Sequence, residues 1–174
     1  MLTYTHSSSE AKKALDLADK RLHGISKLAA GKEVLIAADE TKEIYFVSHE
    51  LFKIYEILSK QKHPYTIGFY FGKINHVFEP SFGALSKYVK ISEYHKVVIS
   101  RKAEMKFLYG RDVKADQLRK FDKELKKDNE VIVCNKSGEA IGLGRLLLDP
   151  KSAKRADVVI KNTMDLGWYL RHKE

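Results

Sequence analysis

Lys151, Lys154 and Arg155 place three cations within five residues, between Asp149-Pro150 and the β-branched run Val158-Val159-Ile160. Isolated charges are rarely buried, so all three must stand in solvent. A loop of like charges repels itself, and a chain of phosphates relieves that repulsion. Phosphate contact is therefore the chemistry this segment offers, with Lys161 past the next strand and Arg171 near the C-terminus as candidate additions. Single-stranded nucleic acids also stack their bases on aromatic rings, and Trp168 and Tyr169 adjoin the patch in sequence. In an extended segment the two face opposite ways, so one of them is expected in the core.

Other chemistries find little support. The seven histidines, His6, His23, His49, His63, His76, His95 and His172, form no His-Glu-x-x-His or other ligand spacing. One cysteine, Cys134, cannot complete a zinc set and ends an apolar strand, where an inert core thiol is expected. No nucleophile, base and orienter fall together, so no catalytic residue, metal or cofactor is expected. Gly142 and Gly144 invite a phosphate-loop reading. They sit inside a strand, however, with no third glycine and no helix opening after them, so their expected role is to permit bending or close backbone approach.

These residues need a scaffold, and composition bounds it. The 174 residues suffice for one large or two small domains, and 44% hydrophobic residues exclude disorder over the whole length. No apolar run reaches the ~18 residues that span a bilayer. The N-terminus lacks a charged region followed by an apolar one, and a lone cysteine offers no disulfide framework. A soluble, cytoplasmic protein is the expectation. Residues 1–94 hold 13 basic and 11 acidic groups, a balance of +2; residues 95–174 hold 19 and 12, a balance of +7. Most of the excess of +9 thus lies in the second half, which points to a polyanionic partner.

Along the chain, Ser7-Ser8-Ser9-Glu10 matches a capping box, and Ala11, Ala14, Leu15, Ala18 and Leu22 recur at helical spacing up to Gly24. Residues 33–38 and 43–47 read as a hairpin turning at Asp39-Glu40-Thr41-Lys42. Ser48 caps a second helix carrying Leu51, Phe52, Ile54, Tyr55, Ile57 and Leu58. A strand over 65–71 and a helix over 81–90 follow. The second half opens with a strand at Val97-Val98-Ile99 and a short helix over 103–109 closed by Gly110. A charged segment follows, with Leu118, Phe121 and Leu125 at i, i+3 and i+7. The strands over 131–134 and 139–141 then flank a turn at Asn135-Lys136-Ser137-Gly138. Residues 140–148, 158–160 and 165–172 read as further strands, the last of them aromatic. The hairpins argue for a mostly antiparallel α+β domain over 1–93, followed by a small β-barrel over 94–174.

That barrel resembles a PUA domain, the RNA-binding module of pseudouridine synthases and archaeosine transglycosylases. The resemblance lies in the hairpin at Gly138, the strand Ile141-Gly142-Leu143-Gly144 and the ending Asp165-x-Gly167-x-Tyr169-Leu170-Arg171. Over its whole length the chain resembles an archaeal member of the Nip-seven family of large-subunit ribosome-biogenesis factors. That closer likeness is carried by Ile44-Tyr45-Phe46-Val47-Ser48, by Gly68 with Phe71-Gly72-Lys73, by Ala84-Leu85, by Ala103-Glu104 with Phe107-Leu108-Tyr109-Gly110 and Val113, and by Tyr169-x-Arg171-His172. The segment 151–155 matches as a charged loop.

The resemblance implies a monomeric, non-enzymatic factor whose PUA domain binds single-stranded pre-rRNA. Its N-terminal domain would meet pre-ribosome or exosome-associated proteins, with Phe71-Gly72-Lys73 and the helix at 49–59 as parts of that face. The alternative is an RNA-modifying enzyme or its targeting subunit, since PUA domains are often appended to such enzymes. Against it, residues 1–93 hold neither a glycine-rich cofactor motif nor a catalytic carboxylate grouping.

Overall fold

The computed structural model describes residues 4–38, 41–60, 64 and 66–171, with the side chains of residues 169 and 170 excepted. Asp39-Glu40, His63, the strand start expected at Tyr65, the side chain of Tyr169 and His172 lie outside the described residues. The chain divides into two compact units, Met1–Ala84 and Leu85–Glu174.

In the first unit β1 (Tyr4–Thr5), β2 (Glu33–Ala38), β3 (Lys42–Val47), β4 (Phe69–Ile74) and β5 (Phe78–Pro80) form one sheet in that order. Every neighbouring pair is antiparallel. Helix α1 (Ser8–Arg21) starts at Ser7, whose Oγ accepts from the Glu10 amide at 3.5 Å. Helix α2 (His49–Leu58) starts at Ser48 in the same way, with Leu51 N–H donating at 3.2 Å. Four consecutive residues of β2, Val34 to Ala37, are buried, as in a strand covered on both faces. Leu35, Ala37, Tyr45 and Val47 pack with Phe52 and Ile67 on one face. Ile36 and Ile44, on the other, line a groove with Ala14 and Leu17 of α1.

The fourth strand lies later in sequence than its composition suggests. Gly72 and Lys73 belong to it because Lys73 pairs in register with Glu43 and Glu79, and its ammonium meets the Glu79 carboxylate at 3.3 Å. Phe71 is fully buried, stacked on Phe46 at 4.4 Å and beside Phe78 at 4.9 Å. It is a core residue and forms no part of a protein-facing surface. His6 Nε2 and His49 Nδ1 approach the two carboxylate oxygens of Glu33 at 3.0 and 3.1 Å. Hydrogen bonding to His49 outweighs the opposing effect of burial and, with the help of His6, holds the Glu33 carboxyl below its ordinary range.

Helix α3 (Phe82–Ile91) leads into the second unit. There β6 (Lys96–Ile99), β7 (Val113–Lys114), β8 (Leu118–Phe121), β9 (Glu130–Cys134), β10 (Ala140–Leu146) and β11 (Val158–Asp165) form a sheet in the order β7-β11-β10-β9-β6-β8. Only β6 and β9 run parallel. The outermost strands, β7 and β8, are joined by just the 3₁₀ turn Ala115–Gln117. Six flat strands would hold their edges ~24 Å apart, whereas the four Cα steps from Lys114 to Leu118 reach ~15 Å at most. The sheet must therefore curl until its edges approach. Register shifts between β9 and β10, β10 and β11, and β11 and β7 supply the bending.

Gly142 and Gly144 allow that curl to be packed. A Cβ on Gly142 would overlap the Met164 carbonyl and crowd the Phe107 ring, and one on Gly144 would overlap Ile160. Phe107, Val97, Ile99, Val131, Val133, Ile141, Leu146, Val159 and Ile160 fill the interior. Helix α4 (Arg101–Leu108) contributes Phe107 and begins at Ser100, whose hydroxyl accepts from the Ala103 amide.

The segment after Asp165 is a helix, α5 (Leu166–Arg171), in place of the expected aromatic strand. Tertiary contacts override the β preference of its rings. Gly167 lies so close to the Leu108 carbonyl that no Cβ fits, and Arg171 folds back to donate to that carbonyl and to Asp165.

Candidate nucleic-acid interface

The loop between β10 and β11 is held from inside by its own aspartates. Asp149 Oδ1 accepts from the Lys151 amide at 2.9 Å, and Asp149 O accepts from the amides of Ser152 and Ala153 at 3.2 Å. Asp157 Oδ2 accepts from the Lys154 amide at 2.8 Å, and Asp157 N donates to Lys154 O at 2.9 Å. The loop is also tied to the segment after β7. Ala115 N donates to Asp157 O at 2.9 Å, and Asp116 N donates to Arg155 O at 3.2 Å. Pro150 is buried, and Ala153 packs on the core.

This bonding uses the loop's backbone and both of its carboxylates and leaves the cationic side chains outward. Lys151, Lys154 and Arg155 are exposed, and none forms an ion pair among the described residues. A rigid backbone presenting mobile charges suits a polyanion, since little chain entropy is lost when it binds. Lys114, exposed on β7, sits opposite Val158 at the loop's end and extends the group.

The other two candidates are placed differently. Lys161 is opposite Arg145 on β11, and its Nζ meets Asp112 Oδ2 at 3.2 Å. That surface pair is worth ~0–1 kcal/mol and yields readily to a competing anion. Arg171 is turned inward to the buried Asp165, at 3.2 and 3.3 Å from its oxygens. Asn162 Nδ2 caps the neighbouring carbonyl of α4, Phe107 O, at 2.8 Å. Arg171 and Asn162 thus donate to the last carbonyls of α4, of which Phe107 O also accepts from the Gly110 amide.

Trp168 lies on α5 and is 50% exposed. Two large exposed residues, Met105 of α4 and its C-cap Tyr109, escaped the sequence reading, although their spacing from the buried Ala103 and Phe107 marks them as the outward face. Cys134 is buried, and burial pushes its thiol up to about 11, so it stays protonated. Among the described residues, no three His, Cys, Asp or Glu side chains are arranged to hold a metal ion, and no helix is long and apolar enough to cross a membrane.

Comparison with known proteins places this arrangement. The family model described as the UPF0113 PUA domain matches residues 95–174. A UPF0113 protein of Archaeoglobus fulgidus is 31% identical over 144 residues, covering 81% of this chain and 79% of that protein. A 60S ribosome subunit biogenesis protein NIP7 homolog of Sus scrofa is 28% identical over 136 residues, covering 75% and 74% respectively. Among solved structures, a conserved PUA domain protein from Thermoplasma acidophilum superposes with a TM-score of 0.61 at 17% identity, over 95% of this chain and 96% of that one. The last likeness concerns the fold, and the first relative, aligned across both units, fixes the lineage: the chain belongs to the UPF0113 family.

Proposed function

We propose that this protein is a non-enzymatic RNA-binding factor in biogenesis of the large ribosomal subunit. Its PUA domain, residues 94–174, holds single-stranded precursor rRNA. The domain of residues 1–93 meets protein partners of the pre-ribosome or the exosome, and the protein works as a cytoplasmic monomer. The observation that carries this reading is the loop of Lys151, Lys154 and Arg155, which is fixed through its backbone and presents three exposed cations from a PUA domain. Lys161 joins them once phosphate displaces Asp112, and Arg171 takes part only at the expense of its bond to Asp165. The NIP7 homologs, named for 60S subunit biogenesis, support the ribosomal assignment. Leu51, Ile54, Ile57 and Leu58 of α2, all exposed, support a protein-binding face on the first domain.

Crosslinking of RNA to the protein in its own cells, followed by sequencing, tests the proposal. Reads concentrated in large-subunit precursor rRNA are expected. Reads dominated by tRNA, or none above background, would overturn it.

A further inference from the structure

On β6 the side chains of Val97 and Ile99 enter the core of the second unit, so Lys96 and Val98 stand on the sheet's outer face. Val98 lies opposite Cys134 of β9 on one side and Lys120 of β8 on the other. These residues form the floor of a groove of about 520 Å³. Phe121 and Asp122 bound it at the end of β8, and Glu93 bounds it ahead of β6.

Lys96 keeps only 15% of its side chain exposed and gives its ammonium to Glu93 Oε1 at 2.7 Å, whereas Glu93 itself is 79% exposed. Lys120, exposed on the next strand, forms no ion pair among the described residues. It still acts on Glu93 through space. Hydrogen bonding to Lys96 holds the Glu93 carboxyl below its ordinary value against burial, and the charges of Lys96 and Lys120 assist. Two lysines thus converge on one carboxylate that stands almost wholly in solvent. Asp122, the other carboxylate of the lining, accepts from the Glu124 amide at 2.9 Å.

Two cations against two carboxylates leave the groove neutral, so a chain of phosphates gains little from it. A ligand that carries a carboxylate beside an aliphatic side chain gains twice. Its carboxylate takes the place of Glu93 between the lysines, and its apolar group covers Val98. One carboxylate is exchanged for another, so the mostly buried ammonium of Lys96 is paired before and after.

We propose that this groove binds a short acidic and aliphatic segment of a partner protein, whose carboxylate displaces Glu93 from Lys96 and Lys120. The lining includes no residue of α2 or of the 151–155 loop, so the site stands whether or not those surfaces bind their partners.

The full chain, labelled with nitrogen-15, is titrated with an acetylated and amidated tetrapeptide of alternating leucine and aspartate. Leucine–asparagine and glycine–aspartate counterparts serve as controls, and hexauridylate as a competing class of ligand. The leucine–aspartate peptide should shift the amides of Glu93, Lys96, Val98, Lys120 and Cys134 to saturation. Each control peptide, lacking either the charge or the apolar group, should bind about 10-fold more weakly. Lys120→Ala, at an exposed position, should weaken binding about 3-fold, the size of one partly exposed ion pair. Glu93→Gln removes the competing carboxylate and should tighten binding by about the same factor. A purely structural Glu93 would give no such gain. Amides that stay unmoved at millimolar peptide, equal binding of the asparagine peptide, or weaker binding by Glu93→Gln each overturn the proposal. Hexauridylate moving the same amides at lower concentration overturns it as well and assigns the groove to RNA.

Discussion

Replacing Lys151, Lys154 and Arg155 together with Ala isolates the electrostatic part of RNA binding. With Lys114 they make four exposed cations around one loop, none in an ion pair among the described residues. Each phosphate neutralised on a single strand contributes about −0.7 to the slope of log K against log salt, so the parent slope should be about −3 and the variant's about −0.7. If the two proteins converge near 1 M salt, three lost contacts amount to about a 100-fold weaker complex at 0.1 M. The loop itself should survive, because its hydrogen bonds use Asp149, Asp157 and main-chain groups, none of which changes. Fluorescence anisotropy of a labelled oligouridylate across a sodium chloride series measures both quantities, and calorimetry confirms an unchanged melting temperature. Parallel salt slopes for parent and variant would refute the reasoning, whatever the absolute affinities.

Arg171→Ala should leave the Asp165 carboxylate buried without its cation and the Leu108 carbonyl without its donor. Because Arg171 remains about a third exposed, the cost is placed at about 2 kcal/mol, below that of a fully buried pair. That is a fall of roughly 10 °C in the melting of a unit this size, and a loss of RNA affinity at constant melting temperature would identify a phosphate contact instead. Gly142→Ala, which collides with backbone and Phe107, should cost about 2 kcal/mol in urea unfolding. Gly138→Ala, strained only by its φ of 81° in open space, should cost about 1 kcal/mol, and the opposite ranking would contradict the packing described. Glu33 titrates below its ordinary 4.5 in the folded protein, so its contribution to stability is present above that pH and is lost as pH falls through the lowered value. Glu33→Gln should therefore lower the melting temperature slightly at pH 6, with the gap closing below pH 4; a gap that widens on acidification would exclude this linkage.

Features encoded within a few residues were legible in the sequence. Ser7 and Ser48 cap their helices through bonds three residues long, and the turn before Gly138 depends on Asn135 Oδ1, which accepts from Ser137 and Glu139. The exposure of Lys151, Lys154 and Arg155 was equally plain, since no neighbouring element offers them burial. The closing segment was misread because its conformation is imposed by α4, distant in sequence, through Gly167 against Leu108. The inward turn of Arg171 depends on the same packing, and one-dimensional spacing cannot separate a capping arginine from a phosphate-binding one. Tyr109 was passed over for a related reason. It is the C-cap, directly after two residues that pack inward, where the helical spacing that marks the outward face comes to its end.

The three-residue link between β7 and β8 also governs how copies of this protein behave toward one another. By drawing the two outer strands together it leaves neither as a long, open template for another chain. Lengthening Ala115–Gln117 with a flexible glycine-serine insert would release that restraint and free both strands at once. Two such molecules could then complete each other's sheets, and what begins as a change in loop length would end as strand exchange between copies.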